Sequence, residues 1–196
     1  MNNESLAARF ERLEALDEIR QLASKYAVSV DQRNLDALAL LFAVDIRVGR
    51  DKQGRQAVKA YFDRALRQFR SSVHLVGNHI IEFDGPDAAH GLVYCRCEHE
   101  VGDKWVPMML HYIDRYVRVD GRWYFAEVRR LQKLYAHDHL ERPQGPNMLR
   151  WPGTEPAAGD WHAPYPSWEQ FWREPGAAAP VPAEPVGGFI DRMLGR

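Results

Sequence analysis

The sequence is short of cysteine, of long apolar runs and of excess charge of either sign. Its two cysteines, Cys95 and Cys97, stand in VYCRC. On an extended chain their side chains point the same way, roughly 6.6–7 Å apart along the strand. That is at or beyond the usual disulfide limit, and two thiols without further soft ligands make a poor zinc site. They are expected to be small thiols lining one face of a sheet in a reducing compartment. No apolar run reaches the roughly 18 residues of a membrane span, and MNNESLAARFERLEALDE is charged where a signal peptide is apolar. With 26 Lys+Arg against 27 Asp+Glu the formal charge is −1, which leaves no cationic surplus for gripping phosphate backbones. The expectation is a soluble, cytoplasmic protein with no membrane or nucleic-acid partner. Proline is also scarce for most of the chain. Ten of the 12 prolines, and four of the six tryptophans, lie from Pro143 onward.

Its 196 residues, 45% hydrophobic, suffice for one well-filled core. Ile19, Leu22, Ala23, Tyr26, Ala27 and Val30 recur at helical offsets, with charges opposite. Asp17 is placed to begin this helix after a first short one ending near Ala15. Asn34 reads as the N-cap of a short helix in LDALALLFA, and DIRVG as a short strand. Gly54 precedes a helix with Val58, Tyr61, Phe62, Ala65, Leu66 and Phe69 on one side. After Arg70 the period becomes extended. Runs over 72–83, 89–101, 105–119 and 122–135 are separated by Asp/Gly-bearing turns, and their length implies a bent sheet with bulges. Helices followed by a long antiparallel meander make an α+β fold, with the helices in the hollow of a curved sheet. Residues 1–142 form this body. Residues 143–196 form an extended, Pro- and Trp-rich tail whose Trp151, Trp161, Tyr165, Trp168 and Trp172 are anchors for docking on the body or on a neighbouring subunit. GFIDRMLGR is placed as a last helical turn.

Dinucleotide, P-loop, zincin and serine-hydrolase motifs are all missing. His137 and His139 flank Asp138 in a spacing that fits a metal or a solvated surface cluster, without an evident third ligand. More informative are polar residues inside apolar patterns. Tyr26 sits on the buried helical stripe. Asp31 closes that helix, either as a turn residue bonding local amides or, since the helix dipole disfavours an anion there, as a carboxylate that needs a partner. His74 opens the first long strand. Asn78 shares its parity, and His79 points the other way unless a bulge intervenes. A helix-end Asp with a strand His fits a carboxylate holding a neutral imidazole as general base.

IRQLASKYAVSVDQRNLDALALLFAVDI, HLVGNHIIEFDGPDAAHGLVYC and YIDRYVRVDGRWYFAEVRR together resemble the SnoaL-like branch of the nuclear transport factor 2-like superfamily over about residues 10–135. The resemblance implies a cone-shaped α+β barrel, a bent sheet wrapped round helices with an apolar pocket inside. Members of the scytalone dehydratase, bile-acid 7α-dehydratase and hexachlorocyclohexane dehydrochlorinase types carry an Asp–His dyad that removes a proton beside a leaving group. By that resemblance Asp31 and His74 match the dyad, and Tyr26 a tyrosine near the leaving group. An Arg on the last strand has no direct counterpart, because a gap-free count from Trp123 lands on Gln132, with Lys133 beside it and Arg129 and Arg130 just before. Arg130 joins Asn78, His99, His111, Tyr61 and Tyr112 as the substrate-binding set. Phe42, Phe62, Tyr94, Met108 and Met109 complete walls suited to a flat apolar ring such as a steroid or polyketide. The implied function is a cofactor-free and metal-free dehydratase, as a homo-oligomeric trimer or dimer. A proton-shuffling isomerase or cyclase, or a non-catalytic ligand-binding module, remains open beside it.

Overall fold

Ser5 caps the first helix by accepting the Ala8 N–H, and the chain then runs as one uninterrupted helix, α1, Leu6–Asp31. The break expected near Asp17 does not occur. The stripe from Ala15 through Ile19, Leu22, Ala23, Tyr26 and Val30 stays in phase and is buried throughout, with no glycine or proline to stop it. The computed structural model describes residues 5–136, 152–157, 165–173, 180, 181 and 183. Among these no helix is long and apolar enough to cross a membrane.

Asn34 caps α2 (Leu35–Ala39), its Oδ1 accepting the Ala37 N–H at 3.0 Å. Strands β1 (Arg47–Val48) and β2 (Lys52–Gln53) form a small hairpin before α3 (Arg55–Leu66). Val58, Phe62 and Leu66 of α3 enter the core. Tyr61 does not: it is 38% exposed, its ring edge-on to Phe62.

Long antiparallel strands follow: β3 (Ser72–Phe83), β4 (Ala88–Val101) and β5 (Lys104–Val119), close to the expected runs. The last run divides into β6 (Arg122–Phe125) and β7 (Arg130–Ala136), both paired with β5. The sheet is curved and stays open rather than closing into a barrel, and α1 lies against β3 and β6 with the Trp123 N–H donating to Glu18 Oε2. This is the helices-in-the-hollow α+β arrangement. At Gly91 on β4 the core comes closest, since a Cβ there would lie 2.8 Å from the Ile80 carbonyl oxygen and 3.1 Å from the Tyr116 ring.

Two irregularities re-aim side chains. In β3 an extra residue enters between Val76 and His79, which oppose Cys95 and Val93. The parity flips, so His79 joins His74 on the inner face and Asn78 is exposed. Between β6 and β7 the Ala126 N–H bonds back to the Arg115 carbonyl, and the chain re-enters the sheet with Arg129 buried.

Within the tail, where extended chain was expected, Pro166–Arg173 instead form a short helix, α4, that packs on the end of the body. Phe171 is buried beneath the Arg33 and Arg67 guanidiniums. Ser167 Oγ donates to the Gln32 carbonyl at 2.8 Å, and Arg70 lies over the Trp168 and Trp172 rings. Trp151 and Trp161, the His137–His139 cluster and the GFIDRMLGR turn fall outside the described residues.

Candidate functional site

Where α1 ends against the start of β3, Asp31 meets His74. Oδ1 of Asp31 lies 2.6 Å from His74 Nδ1, and Oδ2 accepts the His74 backbone N–H at 2.8 Å. Ser72 Oγ donates to Oδ1 at 2.8 Å. The helix-end carboxylate thus has three donors, which resolves the unfavourable dipole noted in the sequence. The His74 side chain is 6% exposed and that of Asp31 22%. Burial opposes a charge on His74, but the Asp31 carboxylate outweighs it and holds the imidazole above its ordinary range. With Nδ1 committed to Asp31, Nε2 is the nitrogen left for a ligand.

Around His74 the inner face of β4 supplies Cys95, Cys97 and His99. The cysteines are free thiols, as expected, but their sulfurs lie 3.5 Å apart, closer than the roughly 6.6–7 Å of the strand spacing. The His99 ring stands edge-on to that of His74, centroids 5.7 Å apart. Burial, then the neighbouring His74, lowers His99 to about 4, so it is neutral.

Deeper in, Tyr26 and Tyr112 meet edge-on at 5.8 Å between centroids. Burial raises the pKa of both phenols, so they stay protonated donors. Over their rings lies Arg129, its guanidinium carbon 3.7 Å from the centroid of Tyr112 and 4.6 Å from that of Tyr26. A bidentate pair at 2.8 and 2.7 Å ties Arg129 to Asp114. Burial works against the Arg129 charge, but Asp114 prevails and raises its proton affinity. Asp114 Oδ2 also accepts from the Tyr116 hydroxyl, which is 3.0 Å from His79 Nε2. Burial lowers His79 to about 4. Nη1 of Arg129 is buried without a hydrogen-bond partner among the described residues.

Of the residues selected from sequence, Tyr26, Asp31, His74, His99 and Tyr112 converge on this interior. Four do not. Tyr61 is on the outer side of α3, and Asn78 is turned out by the β3 bulge. His111 lies on the outer face of β5, its Nε2 2.9 Å from Gln132 Oε1 and its ring edge-on to Tyr94, which is outward too. Arg130 is exposed beside Glu127, because the turn after β6 buries its neighbour Arg129 instead. Met109 alternates outward, whereas Phe42, Phe62 and Met108 pack in the core. Sequence reasoning passed over Asp114, Tyr116, Ser72 and Arg33. In YIDRY the first two share the parity of Tyr112, a signal that was readable.

A curved open sheet over N-terminal helices with a polar cluster in its hollow defines a protein of the nuclear transport factor 2-like class. More narrowly, residues 11–129 match the SnoaL-like domain model, and the chain belongs to that family. Among solved structures it is similar to a scytalone dehydratase-like protein from Novosphingobium aromaticivorans, with 24% identity over 68% of this chain and 93% of that one, TM-score 0.57. It is similar also to a type 2 hexachlorocyclohexane dehydrochlorinase, with 20% identity over 74% and 99% and TM-score 0.62. A type 3 dehydrochlorinase from Novosphingobium barchaimii shares 21% identity over 67% and 94%, TM-score 0.60. At these identities the likeness is one of fold. No curated protein matches the sequence.

Proposed function

We propose that this protein is a cofactor-free lyase that removes water from a hydroxylated apolar ring compound of the steroid or polyketide kind. The observation that carries the reading is the 2.6 Å contact between Asp31 and His74 in a mostly buried site. His74 Nε2 takes the proton from the carbon beside the leaving group. The C–H electrons form the new double bond, the C–O bond breaks, and the hydroxyl departs as water with the proton that His74 returns. Asp31 fixes the tautomer and stabilises the imidazolium as it forms. Tyr26 donates to the departing oxygen, and the unpartnered Nη1 of Arg129 offers a second donor there. Arg129 thus fills the place of the last-strand Arg for which the sequence offered no direct counterpart. His99 and Tyr112 line the ring site.

A proton-shuffling isomerase is the second reading, favoured by the same Tyr26–Arg129 pair, which suits an enolate oxygen equally well. In either case we infer a cytoplasmic homo-oligomer, trimer or dimer. The test presents hydroxysteroids and polyketide-like ring compounds to the full chain, following new conjugation by absorbance and the product by mass. Loss of one water supports the lyase, an unchanged mass with moved unsaturation the isomerase, and binding without turnover a ligand-binding module. Asp31→Ala and His74→Ala are each expected to lower turnover by about 10²–10⁴-fold. Full activity in both would overturn the site.

A further inference from the structure

Behind the Asp31–His74 contact, on the side away from the hollow, stands a buried guanidinium. Arg33 follows the end of α1 with φ of 58°, the left-handed region a side chain seldom adopts. That conformation folds its side chain back beneath the helix end. Nη1 donates to the Val30 carbonyl at 2.6 Å and to Ser72 Oγ at 3.0 Å. Nη2 donates to the carbonyls of Phe69 and Arg70, at 3.1 and 3.3 Å. One cation thus joins the C-terminus of α1 to the chain entering β3, the two segments that carry Asp31 and His74.

Ser72 is the link. Its hydroxyl accepts from Arg33 and donates to Asp31 Oδ1, the same oxygen that faces His74 Nδ1. The result is a directed chain, Arg33 to Ser72 to Asp31, meeting His74 from the other side. A hydroxyl oriented by a cation donates more strongly, and an oxygen that receives it has less negative charge to offer the imidazole.

We propose that Ser72, ordered by Arg33, is a positioning residue that sets both the orientation of Asp31 and the proton affinity of His74. The step from proton affinity to turnover rests on the lyase reading; the rest does not. The charged and titratable groups facing His74 are Asp31 from α1, Arg33 from the turn after it, and Cys95, Cys97 and His99 from β4. Of these Asp31 and Cys95 favour the imidazolium, Arg33 opposes it, and His99 is neutral. Arg33 and Ser72 restrain a base that Asp31 alone would drive higher, so that more of it is neutral and able to accept a proton.

The experiment follows the His74 imidazole by NMR in the full chain, without substrate, in wild type, Ser72→Ala and Ser72→Thr. Ser72→Ala is expected to raise the His74 midpoint by roughly 0.5–1 pH unit, and Ser72→Thr, which keeps the hydroxyl, to return it. If Ser72→Ala does not fold, Ser72→Cys, a weaker donor of similar size, reads the same midpoint. An unchanged or lowered midpoint in a folded variant overturns the proposal. With a turned-over substrate, the acid limb of kcat/KM shifts by the same amount while KM holds. A purely structural serine would lower stability and leave that limb in place. A raised midpoint with no turnover of any compound leaves the positioning role standing and removes the lyase reading. Turnover with an unmoved midpoint does the reverse.

Discussion

Two buried polar clusters share the hollow of one sheet, and they are built on opposite principles. Arg129 and Asp114 form a sealed ion pair, with side chains 1% and 0% exposed. The two face each other in a bidentate contact, and both are locked further by Tyr116 and the neighbouring rings. Asp31 and His74 sit nearer the surface, and only one of the two needs a charge. A sealed pair supplies a fixed field, whereas a hydrogen-bonded carboxylate–imidazole pair can take and release a proton without losing its geometry. In the reaction we propose, proton transfer falls to the second cluster and oriented polarity to the first.

The sharpest way to break this contrast is to remove one partner from each cluster. Arg129→Met leaves Asp114 buried without its counterion, and a stability loss of about 3–5 kcal/mol is expected in urea denaturation. Asp31→Asn, at a site that keeps hydrogen-bonding groups and some solvent, is expected to cost about 1–2 kcal/mol. Equal losses would mean that the two clusters are not differently built.

A second measurement separates them by pH. His99 titrates near 4 in the folded protein and near its ordinary 6.5 when unfolded. Between those values the unfolded chain binds a proton that the folded one refuses, so stability falls as pH falls, by roughly 3 kcal/mol at pH 4. His79, lowered to the same range, acts in the same direction. His74, held above its ordinary value, acts oppositely: its contribution is complete below the unfolded value and is lost as pH rises through the folded one. His99→Phe is expected to flatten the acid side of the stability profile, and an unaltered slope would remove His99 from it.

The smallest effects are expected outside both clusters. Asn78→Ala and Arg130→Ala should each change stability by less than about 0.5 kcal/mol and leave turnover as it is. A tenfold loss of turnover in either would return that residue to the site.

What was readable from the chain follows from periodicity. The stripe of α1, the Asn34 cap and the three long strands depend on neighbours in sequence, and they form close to where the pattern puts them. Asp31 and His74 were readable as polar residues out of place in apolar patterns. The inward cation was not. A single bulge moves a side chain to the other face of a sheet, and the one in β3 exchanged Asn78 for His79, while the turn after β6 exchanged Arg130 for Arg129. Gly77 is a local hint of the first, but where the register shifts is set by how a strand accommodates its partner.

By itself, then, the sequence determined the helical stripe of α1, the three long strands, the α+β class and, with the family resemblance, Asp31 and His74 as the polar residues to watch. It also marked the composition of the tail, of which Phe171 and its helix pack beneath Arg33 and Arg67. Only the tertiary structure decided which arginine enters the hollow, that Asp114 holds it, and that Ser72 and Arg33 stand behind Asp31. Those outcomes join residues 15 to 41 positions apart in the chain. Such contacts are chosen by the burial of charge, which is favourable only where every donor finds an acceptor in the finished fold.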